Sequence, residues 1–188
     1  MRRLITLLAL AALPFLNGCA VVAIGGAAAG GYLIGEDRRT ASIMSDDTSI
    51  EVRLNNRIGE KHTTAHINAT SFNRQVLLTG EAPTAEAKAD IEKMARAIEN
   101  VRGVYNEIRV APNTSLGSRA NDSLITSKIK ARFVDGRKFN AVHVKVVTEA
   151  ATVYLMGMVK RQEADDATEI ARTTGGVQRV VRVFELQD

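Results

Sequence analysis

The chain has 188 residues and a formal net charge of +4, a length that allows one large or two small domains. A single cysteine excludes a disulfide framework, and three scattered histidines beside it do not make the ligand set of a structural zinc site. The hydrophobic fraction of 45% argues against global disorder, and the positive charge indicates a polyanionic partner, either nucleic acid or an anionic membrane.

Residues 1–18 have the proportions of a signal peptide. Two arginines follow Met1, and an apolar stretch over 4–16, too short to span a bilayer comfortably, then leads into Leu16-Asn17-Gly18-Cys19. This ending resembles a bacterial lipobox, which implies cleavage after residue 18 and lipid attachment to Cys19. Alanine and not aspartate follows the cysteine, and by the same resemblance this implies export to the outer membrane.

Residues 19–45 are predicted to form a lipidated tether. The segment 20–35 is rich in glycine and alanine, and each glycine weakens a helix by about 1 kcal/mol relative to alanine. Two other interpretations stay open: an uncleaved transmembrane helix over 4–35, and a buried, unmodified Cys19.

Residues 46–112 and 121–188 carry one pattern twice, separated by a linker over 113–120. Each copy is predicted as α-β-β-α-β, and its first helix is expected to begin at an Asp, Ser or Thr cap in Asp47-Thr48-Ser49 or Asp122-Ser123. In the first copy, Ile50, Leu54 and Ile58 share one helix face, strands are predicted over 64–70, 75–79 and 104–110, and a second helix begins at Pro83-Thr84.

Four glycines occupy matching places in the two copies. Leu78-Thr79-Gly80 with Gly103-Val104 recurs as Leu155-Met156-Gly157 with Gly176-Val177. A strand ending in glycine, then a helix, then Gly-Val before the last strand resembles the BON domain. The resemblance implies an α+β sandwich (an α/β fold in the broad sense) of two tandem domains, each with a small three-stranded mixed sheet packed on helices. Gly80, Gly103, Gly157 and Gly176 are interpreted as structural, because glycine permits positive φ or a close helix approach after the strand.

Charge divides unevenly between the copies, with a net charge of −1 over 46–112 and +3 over 119–188. The excess gathers on a helix predicted over 123–134, which also carries Leu124 where the first copy has the polar Ser49. Resemblance to outer-membrane lipoproteins with two BON domains implies that this helix binds phospholipid, in a protein that supports envelope integrity and is enriched at division sites. The candidate membrane-binding residues are Leu124, Ile125, Lys128, Ile129, Lys130, Arg132 and Phe133, of which Ile125, Ile129 and Phe133 repeat the inward face of the first copy.

Phosphatidylglycerol and cardiolipin are the expected ligands, and the protein is expected to face the periplasm. The alternative is a scaffold that docks on the outer-membrane assembly machinery through the same basic helix, without lipid recognition. The sequence shows no phosphate-binding loop, no dinucleotide-binding glycines and no metal-ligand cluster, so we expect neither an enzyme nor a cofactor. His66 and His143 occupy one repeat position, which favours a structural role, and the export signal with few aromatic residues argues against nucleic acid.

Overall fold

A computed structural model describes residues 37–188; the predicted signal peptide, Cys19 and the tether as far as residue 36 lie outside the described residues. Within that part of the chain, no helix combines the length and the hydrophobicity needed to cross a bilayer.

The first copy of the repeat forms two helices on one face of a small sheet. Its elements are α1 (Ala41–Lys61), β1 (His66–Phe72), β2 (Gln75–Ala82), α2 (Ala85–Arg96), β3 (Gly103–Asn106) and β4 (Arg109–Val110). Thr84 caps α2 by accepting the amide of Ala87, as the Pro-Thr start predicts. The hairpin turn between β1 and β2 places Asn73 and Arg74 at positive φ, which matches the right-handed twist of paired strands.

The second copy repeats this architecture. Its elements are α3 (Leu116–Gly136), a 3-10 turn (Ala141–His143), β5 (Val144–Glu149), β6 (Thr152–Val159), α4 (Arg161–Arg172) and β7 (Arg179–Leu186). In each copy the hairpin strands pair antiparallel and the last strand returns parallel to the middle one, so the predicted α-β-β-α-β order is confirmed.

The last strand differs between the copies. In the second copy β7 pairs with β6 along its whole length, whereas in the first copy the strand predicted over 104–110 is divided into β3 and β4. The side-chain oxygen of Asn106 accepts the amide of Ile108 at 3.2 Å, and the Ile108 side chain is buried in the core. The chain therefore bends at 107–108 before it rejoins β2.

Each domain has its own apolar core between helices and sheet, and a third apolar cluster joins the domains. In this cluster Phe72 and Leu77 of the first sheet pack against Tyr154, Met156 and Val183 of the second. Adjacent residues of β2 alternate between the two sides, because Leu78 lies in the core of the first domain while Leu77 faces the other sheet. The sheets thus pack face to face, with helices on the outside.

The first helix of each domain begins earlier than predicted. Helix α1 begins inside the predicted tether and α3 inside the predicted linker, because Thr40 and Ser115 accept amide hydrogen bonds from the first turns that follow them. The prediction that Asp47 and Asp122 lie at the caps was wrong. Both are buried within their helices, where each carboxylate accepts backbone amides of the neighbouring hairpin turn.

Candidate membrane-binding surface

The inward face of α3 anchors the helix to the second domain. Ile125, Ile129 and Phe133 are almost completely buried, and they contact apolar residues of β5, β6 and α4 in the domain core. Their inclusion among the membrane-contacting residues is therefore corrected: their side chains face the protein, as their positions in the repeat indicate. These three side chains hold α3 against the domain core.

The outward face of α3 carries three apolar side chains, which we call the apolar ridge: Leu116, Leu124 and Val134. Their exposed fractions are 80%, 59% and 62%. Residues at these intervals lie on the helix side opposite the buried stripe, since each residue advances the helix by about 100°. The matching positions of α1 hold alanine, serine and glycine (Ala41, Ser49 and Gly59), so the ridge belongs to the second copy alone.

Two lysines flank the apolar ridge. Lys128 and Lys130 project on either side of it, and neither forms an ion pair with a carboxylate of residues 37–188. In α1 the matching residues are Arg53, which pairs with Glu99 at 3.6 Å, and the neutral Asn55. The outward face of α3 therefore combines three exposed apolar side chains with two lysines that have no carboxylate partner within residues 37–188. The outward face of α1 exposes Val52, but it has small residues at the ridge positions and neither of these lysines.

Arg132 has a different role from the two lysines. Its guanidinium donates to the Ile170 carbonyl and the Thr174 hydroxyl, both at 2.6 Å, and to the Thr173 hydroxyl at 3.0 Å. These groups end α4, where carbonyl oxygens lack partners and a positive charge is favourable. Its guanidinium thus fastens α3 to α4, while the residue stays exposed and its acceptors are uncharged; that Arg132 contacts lipid stays a prediction.

The repeated glycines lie where strands or side chains approach closely. Gly80 has φ of +112°, and a Cβ there would overlap the carbonyl of His66 on β1. Gly157 approaches the matching carbonyl, that of His143. Of the two reasons that the sequence offered, positive φ is confirmed at Gly80, whereas the close neighbour of Gly80 and Gly157 is a strand or turn carbonyl and not a helix. A Cβ at Gly103 would meet the Gln75 side chain, and one at Gly176 the Ile125 side chain.

Comparison with known proteins identifies the same two similar halves of the chain. The sequence profile of the BON domain matches residues 46–112 and 121–188. The chain belongs to the BON-domain family. Over 183 residues it is 36% identical to outer membrane lipoprotein DolP of Haemophilus influenzae. The aligned region covers 95% of this chain and 94% of that protein.

Two further relatives share most of the BON pair. The 21 kDa hemolysin of Actinobacillus pleuropneumoniae is 35% identical over 151 residues, covering 79% of this chain and 78% of that protein. Osmotically-inducible protein Y of Escherichia coli is 28% identical over 140 residues, and the aligned region covers 72% of this chain and 70% of that protein.

A polar cluster lies between the two BON domains. His66 and Glu81 of the first domain and Glu149 of the second place potential ligand atoms within 4.8 Å of one another. The sequence did not indicate this cluster, because its members come from both domains. Both oxygens of Glu81 already accept hydrogen bonds, from Arg109 and from Thr114, so the site is partly filled by the protein's own donors.

The three groups of this cluster titrate differently. Burial raises the pKa of Glu149, and the nearby charge of Glu81 acts in the same direction. Burial opposes the ionisation of Glu81, but hydrogen bonds from Arg109 and Thr114 outweigh it and lower that pKa. Burial also lowers the pKa of His66. The domain interface therefore keeps one carboxylate charged while making charge on the second costly.

Proposed function

We propose that this protein is an outer-membrane lipoprotein, held at the inner surface of that membrane by lipid on Cys19 and facing the periplasm. Its second BON domain binds anionic phospholipid, phosphatidylglycerol or cardiolipin, through the outward face of α3. The observation that carries the proposal is the apolar ridge between two lysines that have no carboxylate partner within residues 37–188. The matching positions of α1 hold small residues, an arginine that pairs with Glu99 and a neutral asparagine.

The expected strength of this contact suits a tethered protein. Each lysine near an anionic leaflet contributes about 1 kcal/mol, and partial burial of three aliphatic side chains adds a few kcal/mol more. Such a contact is weak for a freely diffusing protein. A lipid anchor keeps the domain close to the bilayer, so that a weak contact is occupied for much of the time.

The relatives support the location. Outer membrane lipoprotein DolP is similar over nearly the whole chain, including the region of the predicted lipobox. We further propose that the protein supports envelope integrity and is enriched at division sites, where anionic phospholipid would recruit it.

The lipid contact is tested by vesicle flotation of a soluble fragment over 37–188. The fragment must include Arg38 and Arg39, because they pair with Glu163 and Asp47 at 2.6 and 2.9 Å. It should float with phosphatidylglycerol vesicles and remain below phosphatidylcholine vesicles, and added salt should weaken the binding.

Two substitutions divide the contact into its parts. Leu124→Ser should reduce flotation at least fivefold. Lys128→Glu with Lys130→Glu should reduce it at least tenfold, because a tenfold change corresponds to about 1.4 kcal/mol and the two lysines together contribute about 2 kcal/mol of attraction. The matched controls lie on α1: Val52→Ser removes a side chain that is 54% exposed, and Arg53→Glu reverses the charge that corresponds to Lys128. Equal flotation of all variants, or equal binding to phosphatidylcholine, contradicts the proposal.

The anchor is tested in cells. Cys19→Ala should move the full chain from the membrane fraction to the soluble fraction and abolish incorporation of labelled acyl chains, because no other cysteine is present. Labelled protein that persists after this substitution would overturn the lipobox assignment. If the ridge instead crosslinks to one protein partner at residue 124 or 128 after lipid depletion, the scaffold function replaces lipid binding.

A further inference from the structure

A groove of about 370 Å³ opens beside the C-terminal half of α3, between the two BON domains. Phe72 closes it on the side of the first domain, while Val134, Val142 and Val144 form the wall of the second. The volume lies within the range of small-molecule sites, and the lining is mainly aliphatic and aromatic. Val134 belongs to this groove and to the apolar ridge, so the groove opens onto the proposed membrane-binding face.

Three cations border the groove. Arg39 pairs with Asp47 and lies 3.9 Å above the ring of Phe72, so its position is fixed. Lys145 donates to Glu51 at 2.6 Å and to the Ser71 carbonyl at 3.1 Å. An ammonium group has three N–H donors, and one donor of Lys145 is therefore left for an incoming acceptor.

The third cation, Lys130, has no carboxylate partner within residues 37–188. Among the described residues, Arg39 pairs with Asp47 and Lys145 with Glu51, so the positive charge of Lys130 is the one at the groove that no carboxylate of residues 37–188 balances. Its ligand should be an anion that also carries apolar surface, because the wall beyond the cations offers few polar groups.

We propose that this groove binds one molecule of anionic phospholipid. The phosphate contacts Lys130 and Lys145, and the adjoining apolar part lies against Val134 and Val142. The inference rests on the proposed function only in its choice of ligand, since the apolar ridge brings the groove to a phospholipid surface. The protein then makes two contacts with lipid: the apolar ridge lies on the bilayer surface, and the groove next to α3 holds one individual phospholipid.

A second groove shows that these features are not general along α3. It measures about 380 Å³, lies along the N-terminal half of the helix and is lined mostly by polar groups, including Asn68, Ser123 and Thr126. The carboxylates of Asp122 and Glu149 also border it, against the single arginine Arg119. Its charge and polarity disfavour an anionic amphiphile, so the ligand is assigned to the groove beside Val142.

The test uses a lipid that is soluble as a monomer, so that no bilayer is present. The fragment over 37–188 is titrated with dihexanoyl-phosphatidylglycerol below its critical micelle concentration, and amide chemical shifts are followed. Saturable shifts are expected at residues 141–145 and 130–134, with at least tenfold weaker binding of dihexanoyl-phosphatidylcholine. Val142→Trp, which fills the groove, should abolish the saturable shifts.

The outcomes separate the groove from the ridge. Absent or non-saturable shifts at residues 141–145 in the wild type overturn the groove, and that measurement does not depend on the folding of any variant. If Val142→Trp perturbs the fold, Ala141→Leu narrows the same groove with a smaller side chain. Retained shifts in a folded groove-filling variant also overturn the assignment. Saturable groove binding without vesicle flotation would refute the ridge alone, and flotation without groove binding would refute the groove alone.

Discussion

Replacing Asp122 with alanine should destabilise the second BON domain by about 3–5 kcal/mol. The carboxylate is buried and accepts the amides of Ala150 and Ala151 at 2.9 and 2.8 Å. Those two alanines form the hairpin turn between β5 and β6, and both have positive φ, +47° and +57°. Alanine is unfavourable in this conformation, so the aspartate holds a turn that its own sequence disfavours.

The magnitude follows from the two hydrogen bonds. A hydrogen bond to a charged group contributes about 1.5–3 kcal/mol, and two of them give about 3–6 kcal/mol. Alanine has a higher helix propensity than aspartate, which returns about 0.5 kcal/mol. The remaining loss is a large part of the about 5–15 kcal/mol that stabilises a typical domain.

Urea denaturation of the fragment over 37–188, followed by circular dichroism, measures this effect. With a slope of about 2 kcal/mol per molar, the midpoint of Asp122→Ala should fall by about 2 M. Asp135→Ala is the matched control, because it makes the same change at an exposed position of α3. The additional changes Ala150→Asn and Ala151→Gly should recover part of the loss by supplying residues that favour the turn. Midpoints of Asp122→Ala and Asp135→Ala within 0.5 M of each other would refute the reasoning.

Two further predictions concern Gly80 and Glu149. Gly80→Ala should lower the free energy of unfolding, measured by urea denaturation, by at least about 2 kcal/mol, because its φ is +112° and a Cβ would overlap the His66 carbonyl. The control Gly59→Ala lies in open space on a helix and should not destabilise the protein. Equal effects of the two substitutions would contradict the reasoning. Burial raises the pKa of Glu149 in the folded state, so stability falls as pH rises above the ordinary glutamate pKa of about 4.5. Glu149→Gln should therefore stabilise the protein more at pH 8 than at pH 5, and an equal effect at both would count against this.

The duplicated glycines and the periodic apolar residues were sufficient to predict the fold. Ile50, Leu54 and Ile58 recur as Ile125, Ile129 and Phe133, and all six are buried as a helix with one inward face requires. Helix starts were harder to predict. The first turns after the caps at Thr40 and Ser115 contain apolar residues such as Ile43 and Leu116, but these do not extend the buried stripe of either helix, so the local pattern does not mark the first turn.

The candidate surface could be predicted only in part. Leu124 stood out because its counterpart is Ser49, and the excess of lysine indicated the same helix. Leu116 was missed because the linker was extended over it, although it is the most exposed of the three ridge residues. Comparing Val134 with Gly59 across the repeat would have identified a third ridge position. Arg132 could not be assigned to α4 from sequence, because its partners lie about forty residues away.

The repeat separates what the fold needs from what one copy does. Asp47 and Asp122 both support a hairpin turn, and Gly80 and Gly157 both allow a carbonyl to approach, so these features follow from the fold and carry no specificity. Positions that face outward on α1 and α3 are under no such demand, because neither core nor hairpin depends on them. An apolar side chain exposed there costs solubility without stabilising the domain. The ridge and its lysines occur in one copy only, and this asymmetry is what a single-sided contact with a membrane requires.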